Sequence, residues 1–293
     1  MPYAAKAMTK SMSTFKYDPC KYHMLGNWWH YHLDEIQNMK EVFCAAQPFP
    51  HIVIDNFLDN HVITAVANEF DLVGSGLSPS IVQNFNGVTE YKRASLHGDS
   101  CMDGTTRALI NFLNSYPFLC FLNRLTGTSE ILLPDPYLEG AGLHESTARG
   151  YLKIHVDLPK HGLSGLDRRL NLLIYLTPNW EESFNGDLQL WSENMNQCST
   201  KIYPFYNRAV IFKTAHDTFH GLPDPIQCPS NLTRKSIALY YYSNGRSDGA
   251  SVEPLSISNM FKERPNESFM QLRIKRRLAL ICKTIPFLSR TFF

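Results

Sequence analysis

The sequence has no C-x-x-C pair, and its seven cysteines (20, 44, 101, 120, 198, 228 and 282) are odd in number and widely scattered. That pattern argues against a disulfide framework or a zinc site and fits a reducing, cytoplasmic setting. The segment MPYAAKAMTKSMSTFKYD lacks the unbroken apolar stretch of a secretory signal. No apolar run reaches the roughly 18 residues that an ordinary membrane-spanning helix needs. Neither sign of charge dominates: 28 Lys and Arg stand against 27 Asp and Glu. Such a balance is not a nucleic-acid-binding composition. There is no phosphate-cradling glycine loop and no G-x-S-x-G nucleophile elbow. What remains is an ordinary globular composition, 44% hydrophobic and 19% charged, able to bury a substantial core.

Taken in order, residues 1–47 read as a leader followed by a helix over 27–46, in which Trp28, Tyr31, Ile36, Met39 and Phe43 anchor one face. PFPHIVIDNFL at 48–58 predicts a strand, and Asp59 a helix N-cap for residues 59–72. Residues 81–100 read as a polar loop or weak hairpin, and 104–125 as one or two apolar helices interrupted at Pro117. From about 137 to 243 the character changes. YLKIHVDLP, NLLIYLTP, GDLQLWS, RAVIFKTAHDTFHGLP and TRKSIALYYYS are short strands separated by Pro, Asn, Asp and Gly. Helices before a β-rich region predict a mainly β (α+β) domain over 48–252, buttressed by N-terminal helices. The tail, 253–293, differs again. Six basic residues from Arg273 to Arg290 alternate with Leu, Ile and Phe and meet no acidic residue, which predicts peripheral membrane contact through 270–293.

Successive strand side chains point to opposite faces, so His155 and Asp157 project to one side. One imidazole, one carboxylate and a second imidazole from a distant strand make the donor set suited to non-haem Fe(II). AHDTFHGLPDP offers two candidates for the second imidazole, His216 and His220; His220, at a strand end before Gly221, is favoured. His144 has no carboxylate at two-residue spacing and ranks below His155. Arg234 opens the strand KSIALYYYS with Ser236 on the same parity, and a guanidinium fork beside a hydroxyl suits a carboxylate bound bidentately.

With His155-x-Asp157, the strand 171–177 followed by Pro178 and Trp180, Gly186-Asp187-Leu188, Phe219-His220-Gly221 and Arg234-x-Ser236, the chain resembles the Fe(II)/2-oxoglutarate-dependent dioxygenase superfamily, especially its prolyl-hydroxylase-like branch. The resemblance covers about residues 137–243. One departure is Asn185-Gly186-Asp187, where many relatives carry two glycines.

The resemblance implies a double-stranded β-helix, a cupin-like jelly-roll barrel. It also implies Fe(II) held by His155, Asp157 and His220, with 2-oxoglutarate and O₂ as co-substrates and ascorbate as an expected stimulant. Arg234 and Ser236 would hold the distal carboxylate of 2-oxoglutarate, while Tyr175, Asn171 and, if no bulge intervenes, Tyr151 would line the pocket. The implied reaction is hydroxylation of an unactivated C–H bond; the carboxylate ligand Asp157 disfavours halogenation. Candidate substrates are a protein or amino-acid side chain, a small metabolite, or a glycan or glycolipid such as a Kdo unit of lipopolysaccharide, as in the Kdo hydroxylases of this superfamily. The tail tilts the expectation toward the last. The rival expectation is a catalytically inactive jelly-roll that binds a sugar or peptide.

Overall fold

The computed structural model describes residues 24–30, 33–73, 82–87, 89–95, 102, 104–248 and 260–270. The leader (1–23) and most of the basic tail (271–293) lie outside the described residues. A 3-10 turn at Asn27–His30 precedes α1 (Leu33–Ala45), β1 (His51–Ile54) and α2 (Asn60–Val73). Asp59 caps α2 through its Oδ1, which accepts the His61 N–H at 2.8 Å. The hairpin β2 (Val82–Asn86) and β3 (Glu90–Ser95) follows, then α3 (Gly104–Leu113) and α4 (Tyr116–Thr126).

Glu69, near the end of α2, accepts the backbone N–H groups of Thr105 and Thr106 at 2.9 and 2.6 Å. It thus satisfies donors at the start of α3 that no helical carbonyl can reach. Pro117 does not interrupt a helix as expected. It sits in the first turn of α4, where its missing N–H removes no hydrogen bond. Gly127, at φ +66°, closes the same helix by donating its N–H to Asn123 O at 3.0 Å.

Ten further strands follow among the described residues: β4 (Leu133–Pro134), β5 (Gly142–Ser146), β6 (Tyr151–Val156), β7 (Asp167–Tyr175), β8 (Leu188–Trp191), β9 (Cys198–Ile202), β10 (Ala209–Lys213), β11 (His220–Leu222), β12 (Arg234–Ser243) and β13 (Met260–Phe261). All the strands join one sheet in the order β1-β10-β7-β12-β5-β3-β6-β11-β8-β9, with β13 on β6, β2 on β3 and β4 on β12. Every pairing is antiparallel, and the path does not close on itself among the described residues. Of the polar loop or weak hairpin expected over 81–100, the described residues form a hairpin, whose β3 pairs with both β5 and β6 and joins the two halves of the path.

The alternation of β7 separates two apolar layers. Leu170, Leu172 and Ile174, with Ile211, Ile237 and Leu239, pack against Phe57, Leu113, Phe118 and Leu122 of the helical layer. Each such side chain, fully buried, contributes on the order of 2 kcal/mol. Tyr241 binds the layers together by donating its hydroxyl to Leu113 O at 3.1 Å. The other face carries Tyr175, Leu188, Leu190, Val210 and Phe212. On this face the site forms.

Two bulges break the alternation. Between β11 and β6, His220 pairs with His155 but Leu222 with Leu152, so β6 carries one extra residue. Between β12 and β7, Tyr241 pairs with Leu170 but Tyr242 with Arg168, which leaves Arg169 as the extra residue. Each bulge inverts the facing of everything on its far side.

Candidate metal centre

His155 lies near the end of β6, Asp157 just beyond it, and His220 opens the neighbouring β11. Their ligand atoms all fall within 4.8 Å of one another. Asp157 Oδ1 is 3.4 Å from His155 Nε2, and Oδ2 is 3.3 Å from His220 Nε2. In each ring Nδ1 donates to a backbone oxygen: His155 to Lys153 O at 2.8 Å, His220 to Thr218 O at 2.9 Å. A carbonyl can only accept, so the proton of the neutral ring sits on Nδ1 and the Nε2 lone pair faces Asp157. That is the tautomer a metal requires. Burial lowers the His155 pKa and favours its neutral form. Burial would raise the Asp157 carboxyl, but Arg168 and His220 hold it well below the usual carboxylate range. Two imidazoles, each with Nε2 turned toward the carboxylate, and one carboxylate thus converge, and the donor set fits a divalent non-haem iron.

His216, the alternative ligand, is exposed in the turn before β11 and takes no part in the cluster. His144 lies outside it too; its Nε2 is 3.1 Å from Gly140 O.

Arg234 is 5% exposed. Its Nε donates to Gly186 O at 2.8 Å, which fixes the plane of the guanidinium, and its Cζ lies 4.8 Å from the Tyr175 ring centroid. Gly186 has φ +77°, and a Cβ there would stand 3.2 Å from Arg234 Cδ and 3.1 Å from the Trp180 ring. This position needs glycine both for conformation and for space. No carboxylate lies within ion-pair distance of Arg234 among the described residues. Burial accordingly pulls its pKa below the ordinary arginine value. The Tyr175 hydroxyl is buried without a hydrogen-bond partner of ordinary geometry, and Ser236, 2% exposed, pairs across the ladder with Tyr175. A buried cation with no carboxylate at ion-pair distance, beside a buried hydroxyl, fits the carboxylate of a bound co-substrate.

The other predicted residues are placed differently. Asn171 donates from Nδ2 to Asp157 Oδ2 at 2.7 Å, so it orients the metal carboxylate. Tyr151 is corrected by the β6 bulge. Leu152, not Tyr151, shares the side of His155 and packs near Leu222, Trp180 and Ile226, while the Tyr151 hydroxyl donates to Gly87 O at 3.0 Å.

Sequence reasoning missed three contributors. Arg168 stands 3.2 Å from Asp157 Oδ2, signalled only by an Arg168-Arg169 doublet in an apolar strand. Phe261 of β13 places its ring centroid 5.4 Å from that of His155. Glu267 forms an ion pair with the buried Lys153, two residues from His155. The segment 260–270, assigned above to the tail, is thus seated on β6.

No curated protein matches the chain. Among solved structures, the chain is similar to a prolyl-4-hydroxylase of Pseudomonas putida, at 11% identity and a TM-score of 0.51, covering 71% of this chain and 100% of that one. It is also similar to a prolyl hydroxylase from Trichoplax adhaerens in complex with a hypoxia inducible factor oxygen degradation domain peptide fragment, at 18% identity and a TM-score of 0.47, covering 74% and 94%. The first likeness shows the fold. Residues 141–242, the span that holds the three ligands and Arg234, match the model of the 2OG-Fe(II) oxygenase superfamily. Over that span the chain carries a 2OG-Fe(II) oxygenase domain, of a superfamily of dioxygenases that take Fe(II), 2-oxoglutarate and O₂.

Proposed function

We propose that this dioxygenase hydroxylates an unactivated C–H bond, on a domain whose finer architecture is the double-stranded β-helix of its superfamily. The observation that carries the co-substrate assignment is Arg234, a buried guanidinium with no carboxylate of its own. His155, Asp157 and His220 would hold the iron. With 2-oxoglutarate and O₂, Fe(II) supplies the oxidising power for C–H hydroxylation, releasing succinate and CO₂.

The residues of the chain do the positioning. Lys153 O and Thr218 O hold the two imidazoles in their ligating tautomer, and Asn171 fixes the carboxylate between them. Arg234, its plane set by Gly186 O, would grip the distal carboxylate, with the Tyr175 and Ser236 hydroxyls beside it. Phe212 and Phe261 flank His220 and His155, with ring centroids 4.8 and 5.4 Å away, and keep water from the ligands. No side chain need act as a general base.

The test is joint binding and turnover. Fe(II) and 2-oxoglutarate together should raise the melting temperature more than either alone, and succinate should then accumulate in air. His155→Ala should abolish both effects. Binding of 2-oxoglutarate without metal, or no succinate from the metal-loaded protein under any substrate mixture, would favour the inactive binding protein instead. The proposed membrane role of the tail rests on composition alone; deletion of 271–293 should release the protein from anionic vesicles.

A further inference from the structure

Three arginines are buried among the described residues: Arg168, Arg169 and Arg234. Arg169 pairs with Glu130 at 2.8 Å and with Asp248 at 3.6 Å. Arg234 awaits a co-substrate carboxylate in the reading above. Arg168 is the odd one. Among the described residues its only carboxylate neighbour at ion-pair distance is Asp157, which belongs to the metal cluster.

Three contacts hold its guanidinium rigidly. Nε donates to Asn171 Oδ1 at 3.0 Å, Cζ lies 3.4 Å from the Tyr240 ring centroid, and Nη2 is 3.2 Å from Asp157 Oδ2. The last is a charge contact without hydrogen-bond alignment, and Nη2 is buried with no hydrogen-bond partner. Orienting Asp157 does not require this group, because Asn171 already donates to the same oxygen at 2.7 Å. A neutral amide would serve that purpose without the desolvation cost of a buried cation.

A charge count then decides. Asp157 and the keto-acid carboxylate together offset the two charges of the metal, and the distal carboxylate offsets Arg234. With Arg168, which shares Asp157 with the metal, the loaded centre would keep one net positive charge. A buried cation with an unused donor is stabilised by an incoming anion.

We propose that Arg168 is a specificity-determining residue that receives a carboxylate or phosphate group carried by the substrate, so that this oxygenase acts on an anionic molecule. Tyr240 and Asn171 pre-set the plane of the fork, and a planar, two-oxygen anion matches it better than a single carbonyl. The inference rests on the proposed function, because only metal binding at Asp157 frees Arg168 for another anion.

The test is equilibrium binding, anaerobically, to protein loaded with Mn(II) and saturating 2-oxoglutarate. The probes are a matched pair, N-acetylglycine and N-acetylglycinamide, with inorganic phosphate as a separate arm to tell carboxylate from phosphate recognition. Wild type should bind N-acetylglycine or phosphate at least tenfold more tightly than the amide. Arg168→Gln should reduce that preference to within twofold, and Arg168→Lys, which keeps the charge but not the fork, should fall between. A structural role alone would weaken both members of the pair equally and leave their ratio unchanged. An unchanged ratio in Arg168→Gln, or no anion preference in wild type, overturns the proposal. Failure of Mn(II)-loaded wild type to bind 2-oxoglutarate would instead overturn the earlier reading.

Discussion

Replacing Arg234 with Met separates folding from binding, because the two should respond very differently. In the unliganded protein Arg234 is 5% exposed, meets no carboxylate among the described residues and donates its Nε to Gly186 O. Losing that bond leaves the buried Gly186 carbonyl unsatisfied, at a cost of about 1–3 kcal/mol. Removing a buried, uncompensated charge returns a gain of similar size, since burying an ion costs several kcal/mol. Unliganded stability should therefore change by no more than about 2 kcal/mol. Binding has no such offset. Two charge-assisted hydrogen bonds to the distal carboxylate, at about 1.5–3 kcal/mol each, would be lost. That corresponds to roughly a hundredfold or greater loss of 2-oxoglutarate affinity. Titration calorimetry of Mn(II)-loaded protein measures the affinity, and urea unfolding of the unliganded protein measures the stability. A change in 2-oxoglutarate affinity below about threefold would refute the role assigned to Arg234.

Gly186→Ala should lower the melting temperature and weaken 2-oxoglutarate binding together, because a Cβ at φ +77° is strained by about 1–3 kcal/mol and presses on Arg234 Cδ; calorimetry and a thermal melt check both. Tyr175→Phe should weaken 2-oxoglutarate binding, whereas Tyr151→Phe should leave it within twofold of wild type, because the Tyr151 hydroxyl is turned to Gly87 O. Burial acts to raise the Glu130 carboxyl, but the hydrogen bond from Ser247 and the ion pair with Arg169 outweigh it and hold its pKa at about 2. A folded value below the ordinary 4.5 means that its stabilisation is complete above pH 4.5 and is lost as pH falls toward 2. Arg169→Met should reduce that acid dependence only in part in urea melts at pH 3 to 6, because the Ser247 hydrogen bond, the larger cause, remains. Glu267→Gln should destabilise the fold, by about 3 kcal/mol, because it leaves the Lys153 ammonium buried without its carboxylate.

The strand character of 151–243, the shared direction of His155 and Asp157, and the shared parity of Arg234 and Ser236 were readable from the sequence. Each depends only on neighbours a few residues away, and local alternation governs them. The choice of His220 over His216 needed the structure, since only the pairing of β11 with β6 shows which imidazole enters the sheet and which stays in the turn. The two bulges needed it more. An extra residue in β6 sets Leu152 rather than Tyr151 on the side of His155, and an extra residue in β7 brings Arg168 to the side of Asn171. Alternation alone would have put Arg168 and Asn171 on opposite faces, because they are three apart. A bulge is decided by how a partner strand accommodates its neighbour, and that partner lies about seventy residues away in both cases. The seating of Phe261 and Glu267 on β6 likewise arises from a contact of more than a hundred residues' separation, which no local pattern encodes. The sequence by itself determined which chemical groups the site would hold; the long-range pairing of strands decided which of them face one another.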